Sequence, residues 1–221
     1  DIELTQGLRL RAVDHLEQAR HSIAPSSRWA PQVSLLDARL ALGDQARDRA
    51  LIHFQEAETS AEKWGDTLLQ LEIAISRWAV LAESRALAHE VFSADEWHSL
   101  ARTVHALLAL DTSYARDFIA IKLARTLLDM QGEQSMIESL LDMATASCRQ
   151  RGDPRLLSYA LGYQGLLAER QQQWSRALEG TAQAAFAAQQ VGASESLYLW
   201  EWQTARILQR QNRFDEALAA Y

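Results

Sequence analysis

Apolar side chains fall at helical spacing along this chain, and short polar breaks divide them into runs of helix length. Three breaks share one form: Trp64-Gly65-Asp66, Arg151-Gly152-Asp153-Pro154 and Val191-Gly192-Ala193-Ser194. In each, Gly can close one helix in the left-handed conformation, and the following Asp or Ser can accept an amide of the next helix's first turn. Pro154 suits a first helical turn. Asp111 in Leu110-Asp111-Thr112-Ser113 is the expected cap where no Gly occurs, and Ser93-Ala94-Asp95-Glu96 reads as a capping box. The pattern predicts helices near 3–23, 32–42, 45–64, 67–91, 94–109, 112–131, 134–150, 155–171, 174–190, 195–211 and from 214 onward, with no strand. Ala24–Pro31, with two prolines, is expected to be a loop.

The last third of the chain repeats itself at a spacing of forty. Aligning Ser158–Thr181 with Tyr198–Tyr221 pairs Arg170-Gln171 with Arg210-Gln211, Trp174 with Phe214, and Ala177-Leu178 with Ala217-Leu218. Gly165/Ala205, Leu167/Ile207 and Gln172/Asn212 are near matches. A fixed period of roughly 20–50 residues points to a solenoid, in which no unit can bury its apolar face alone. Gly65 and Gly152 lie two such units apart, with the Asp111 boundary between them.

Composition narrows the class. Hydrophobic content is 48%, with 3 Pro and 9 Gly, so helix formers dominate and a packed core is affordable. The net charge of −7 argues against nucleic acid as partner, since that affinity comes from clustered cations. Only Lys63 and Lys122 are lysines, so nearly all positive charge is guanidinium, suited to bidentate contacts with carboxylates. The single cysteine, Cys148, excludes an internal disulfide and fits a reducing compartment, which makes the cytoplasm the expected location. No run approaches the roughly 20 apolar residues that span a bilayer, so no membrane partner is expected. The start at Asp1-Ile2-Glu3-Leu4, and an amphipathic helix running to Tyr221 without a cap, lead us to expect a fragment of a longer protein.

The order Gly165, Trp174, Ala177, Ala184, repeated as Ala205, Phe214, Ala217, resembles the tetratricopeptide signature. Small residues there let helices approach closely, while the aromatic plugs the gap between units. Gln172 and Asn212 depart from the signature's Gly, Ala168 and Leu208 from its Tyr, and forty from its period of about 34 residues. The stretches Ser158–Glu169, Trp174–Thr181 and Ser196–Arg206 are similar to the repeat region of bacterial proteins that carry a CHAT domain, a caspase-like cysteine peptidase module C-terminal to such repeats. The resemblance covers about 158–221. It implies a regulatory or recruiting arm without the peptidase, because the chain offers neither strands nor a catalytic His–Cys pairing.

In tetratricopeptide arrays the first helix of each pair lines the concave surface. The resemblance places Tyr159, Gly162, Leu166, Glu169 and Arg170 there, followed by Leu199, Trp202, Arg206, Gln209 and Arg210. Trp202, Arg206 and Arg210 form one stripe at successive helical turns, fit for an acidic or aromatic peptide segment. The same arginines could instead pair with Glu169 and Glu201 in a solvated ion-pair face. Trp200 and Trp202 cannot share a face, being about 200° apart on a helix. A carboxylate clamp is not supported, since Gly162 and Leu166, then Trp202 and Arg206, stand where its Lys and Asn would be.

Cys148, among small residues, is expected to be core, as are Trp78, Trp97 and Trp174. His98 and His105, two turns apart, are too widely spaced to share a metal ion unaided. The chain is thus expected to be an all-α, right-handed α-α superhelix, a tetratricopeptide-like solenoid of repeats near forty residues. It is read as one domain over 1–221, less regular over 1–64 and clearest over 111–221. The expected function is that of a protein-binding scaffold or sensor arm, with Tyr159, Glu169, Arg170, Trp202, Arg206 and Arg210 as groove residues. No catalytic, metal or cofactor site is assigned, and the partner is a protein or peptide, its own C-terminal module included. The alternative is a ligand-sensing repeat domain of a large bacterial transcription regulator. An enzymatic reading would rest on Cys148 and the histidines.

Overall fold

The computed structural model describes residues 9–24 and 26–220. Among them the chain forms eleven helices and no strand: α1 Arg9–Ser22, α2 Ala30–Gly43, α3 Arg47–Trp64, α4 Thr67–Ala88, α5 Ala94–Leu108, α6 Tyr114–Asp129, α7 Gln134–Arg151, α8 Pro154–Arg170, α9 Trp174–Gln190, α10 Ser194–Arg210 and α11 Phe214–Ala219. None of the described helices is long and apolar enough to cross a membrane. The expected helix start near Glu3 and the chain end at Tyr221 lie outside the described residues. The chain divides into two compact units between Ser93 and Ala94.

The first unit is built on alanine. Ala38 and Ala41 of α2 and Ala50, Ala57 and Ala61 of α3 are all buried around Phe54, with Leu69 and Ile73 of α4 completing the core. Small side chains let α2 and α3 approach closely, so one large ring fills what remains. Arg39–Glu72 at 2.6 Å ties α2 to α4, and Arg77–Glu58 at 3.0 Å ties α4 to α3. The expected loop is shorter than its two prolines suggested. Pro31 sits in the first turn of α2, where its missing N–H costs nothing.

In the second unit each helix from α6 to α11 packs on its chain neighbour, and first helices also meet, α6 against α8 and α8 against α10. Two kinds of turn alternate. Between pairs, Gly152 (φ +66°) and Gly192 (φ +61°) take the left-handed conformation; within pairs, Gln131, Gln172 and Asn212 do so at φ +55°, +58° and +60°. The bonding is the same in both kinds. At Gln172, for example, its N–H donates to Glu169 O at 3.0 Å, and the next N–H donates to Ala168 O at 2.9 Å, a Schellman closure of the preceding helix.

Helix starts differ in detail from expectation. Asp66 and Asp153 accept from Leu69 N and Leu156 N, as the punctuation implied. The cap of α6 is Ser113, accepting from Arg116 N at 3.1 Å, rather than Asp111. Ser194 begins α10 instead of capping it; Ala193 precedes the helix without a side-chain bond.

A buried ion triad locks α6 to α7. The carboxylate of Asp117, fully buried, accepts from Arg116 Nε at 2.9 Å and Nη2 at 2.7 Å, and from Ser147 Oγ and Arg151 Nη1 on α7. Arg116 Nη1 also reaches Leu110 O at 3.0 Å. A hydrogen bond to Asp117 raises the pKa of Arg151, the strongest influence on it. Both carboxylate oxygens are satisfied, which is the condition under which a buried charge is tolerated.

Two stability predictions follow. Asp117→Ala would strand two guanidinia and should cost about 3–5 kcal/mol in chemical unfolding of the protein. At the turns, Gly152→Ala meets no atom within 4 Å yet forces Ala into the left-handed region, a loss of about 1 kcal/mol, whereas Gln172→Gly relieves that strain and should gain about 0.5–1 kcal/mol. Denaturation midpoints shifted in the opposite order would contradict the turn assignment.

Candidate functional site

The site begins with a glycine. A Cβ on Gly162 of α8 would meet the Trp200 ring of α10 at 2.3 Å, so the indole lies flush against bare backbone. Trp200 is 2% exposed, and its Nε1–H donates to the buried Ser158 hydroxyl at 2.8 Å. Tyr159 and Tyr163 stand edge-on to it, with ring centroids 6.0 and 5.7 Å away. One turn along, buried Gln203 donates from Nε2 to Gly162 O at 3.1 Å and to Thr181 Oγ1 at 2.8 Å. Gln203 thereby joins α8, α9 and α10. Gly165 and Gly180 are the matching close approach between α8 and α9: a Cβ on Gly180 would meet Gly165 backbone at 3.1 Å.

Because Trp200 is turned inward, Trp202 is turned outward and is 53% exposed. It borders an open groove of about 750 Å³, whose walls come from α6, α8 and α10 with the turn at Gln172 and the start of α9. Of the six groove residues expected from the sequence, Glu169, Arg170, Trp202, Arg206 and Arg210 line this groove. Tyr159 does not; it is half-buried and spent on the Trp200 contact. The groove also recruits Arg125, Tyr163 and Gln203, which the sequence reading passed over. Tyr163 and Gln203 are forty residues apart, so the repeat alignment already held the signal for them.

The electrostatics of the groove centre on Glu169. Its carboxylate is buried, and Arg206 grips it with both arms of the guanidinium, Nε to Oε1 at 2.8 Å and Nη2 to Oε2 at 2.6 Å. The Arg206 guanidinium also lies over the Trp202 ring, 5.2 Å from its centroid. The expected pairing of Arg206 with Glu169 thus forms, but on a buried carboxylate rather than a solvated face, and the same guanidinium stacks on Trp202. Arg210 Nε stops 3.8 Å from Glu169 Oε1, beyond hydrogen-bond reach, and its side chain is 63% exposed. Arg170 donates from Nη1 to Leu128 O, and its Nη2 stays 3.8 Å from Asp129. Burial pulls the Arg170 pKa down, with the neighbouring guanidinia of Arg125 and Arg206 adding to that and Asp129 and Glu169 opposing it. Arg125 covers the Tyr163 ring at 5.6 Å while pairing with Asp129 at 3.0 Å.

Other sequence candidates fall elsewhere. Cys148 is fully buried beside Arg151 and Asp117, and its pKa is raised to about 11, chiefly by burial; the thiol stays protonated at neutral pH, as a core residue would. His98 and His105 are exposed on α5, each donating from Nδ1 to the carbonyl one turn back, Ala94 O at 2.7 Å and Ala101 O at 2.8 Å. Trp78 is buried as expected, but Trp97 and Trp174 are only half-buried. Trp174 packs on Ala168, Ala177 and Ile207 with one edge left in the groove, because its helix starts at the groove's rim. A second cavity of about 430 Å³, between α7, α8 and α9, mixes Glu138, Asp142 and Glu179 with Arg149 and Arg176 and has no aromatic wall.

No protein-family model matches the chain, and no curated protein matches it.

Gly162→Ala should drive Trp200 out of its seat and cost about 1–3 kcal/mol by overpacking. Trp202→Ala, at an exposed position, should stay within about 0.5 kcal/mol of the parent. Urea unfolding with near-ultraviolet circular dichroism checks both; equal effects would mean that the two indoles do not divide inward and outward roles.

Proposed function

We propose that this protein is a recognition module: a right-handed helical-repeat array, with repeats of about forty residues, whose groove in the second unit holds a segment of a partner protein. The observation that carries this reading is the groove itself, where exposed Trp202 and four guanidinia converge on helices already fixed by the Trp200 seat. The repeat is supported by the starts of α8 and α10, forty residues apart, and of α9 and α11, likewise forty apart. An exposed indole beside arginines on a rigid support is the residue chemistry of interaction hot spots. Within this reading the chain acts as scaffold or sensor arm, and its similarity at 158–221 to repeats preceding CHAT peptidase modules makes recruitment for such a module its place in a larger protein.

A second reading draws on the size of the groove, which lies in the range of small-ligand sites, roughly 300–1,000 Å³. It would suit a ligand-sensing repeat domain of a transcription regulator. One experiment separates the two. A photo-crosslinking amino acid at position 202 should give discrete protein adducts in cells, and the same group at exposed Phe186 on α9 should not. Adducts of the same proteins from both positions, or none from position 202, would overturn the recognition reading.

A further inference from the structure

Resting on the reading of the groove as the partner surface, we propose that its occupant is an acidic peptide segment and that Glu169 is a built-in competitor for the cations that bind it. The groove is lined by Arg125, Arg170, Arg206 and Arg210 against the carboxylate of Glu169, with Asp129 beside Arg125 and Arg170, in a chain of net charge −7. The positive charge is therefore local and concentrated where the aromatic rings are. Concave walls of low dielectric strengthen such a field.

The four guanidinia are not equivalent. Arg206 is committed to Glu169 through two short bonds, and Arg125 is engaged by Asp129. Among the described residues, Arg170 and Arg210 have no carboxylate within hydrogen-bond distance, each stopping 3.8 Å from its nearest acid. The lowered pKa of Arg170 agrees with a charge whose burial is not fully compensated. A carboxylate arriving between these two would gain charge-assisted bonds without breaking any.

The shape favours a chain segment over a small anion. The walls come from three first helices, and two interaxial steps of about 8–10 Å each make a path that five or six extended residues would follow. Trp202 and Trp174 supply apolar walls for side chains between the carboxylates. The residue that limits affinity is then Glu169. It lies at the floor of the groove and occupies the best bidentate fork, so a ligand carboxylate must do without Arg206 or displace Glu169 from it.

The test uses a fluorescein-labelled hexapeptide, Glu-Asp-Glu-Phe-Glu-Asp, its Gln/Asn counterpart, and free glutarate as competitor, read by fluorescence anisotropy on the full chain. The acidic peptide should bind saturably and more weakly as salt rises, and the amide peptide at least tenfold more weakly, as befits lost charge-assisted bonds. Arg210→Gln and Arg170→Gln should each weaken binding by about tenfold, and Glu169→Gln should tighten it by about tenfold, because the Arg206 fork is released. A purely structural Glu169–Arg206 bridge would instead lose affinity in Glu169→Gln. If that variant does not fold, the exposed Arg210→Gln decides alone. Equal binding of the amide peptide, unchanged affinity in Arg210→Gln, or glutarate competing at peptide-like concentration each overturns the proposal. Crosslinking from position 202 without acidic-peptide binding would sink the charge inference and leave protein recognition standing; failure of both would sink both.

Discussion

A methyl group on Gly162 would lie 2.3 Å from Trp200, so α8 and α10 can be as close as they are only because that position carries no side chain. Much of the second unit depends on this approach. It buries the Trp200 indole, lets its N–H find Ser158, and brings Gln203 within reach of both the Gly162 carbonyl and Thr181. A buried indole contributes several kcal/mol through area alone, but here its bonds also set the helix register. Turning Trp200 inward leaves Trp202, about 200° away around the helix, facing the groove.

The polar contacts continue that logic. Glu169 and Arg206 join α8 to α10 at the groove floor, and Asp117 joins α6 to α7 through Arg151 and Ser147. Each buried carboxylate is answered from a neighbouring helix, so sliding one helix along another would leave a charge unpaired at a cost of several kcal/mol. The groove is thus walled by elements whose positions are over-determined. Such preorganisation lowers the ordering cost of binding. Its net positive lining follows from the same arrangement, since four guanidinia face only the carboxylates of Glu169 and Asp129.

Helix number and most boundaries were legible because Gly, Asp, Ser and Pro punctuate the chain with definite backbone preferences. Gly65, Gly152 and Gly192 do take the left-handed conformation read from them. The within-pair turns were harder, because Gln131, Gln172 and Asn212 take it too, at a cost in strain that propensity argues against; the closing hydrogen bonds and packing of the pair override it. Pro31 was misplaced into a loop because a proline signals a first turn as readily as a break. At the site, the tetratricopeptide resemblance placed six residues along a groove, and five of them line the cavity between α6, α8 and α10. It erred at Tyr159, whose ring is drawn to Trp200, a contact between side chains forty-one residues apart that no local pattern encodes. That Glu169 is buried was equally hidden, since a glutamate near a helix end reads as solvated until its partner on the next pair is known.

If the Gly162 seat organises the second unit, α8, α9 and α10 open as one cooperative body. Native-state hydrogen exchange tests it most directly, through the amides of Leu161, Thr181 and Gln203, one on each helix. The three should share a single opening free energy and the same denaturant dependence, and all three should lose protection together in Gly162→Ala. Exchange of Gln203 through a separate, lower-energy opening, with Leu161 and Thr181 unaffected, would contradict it.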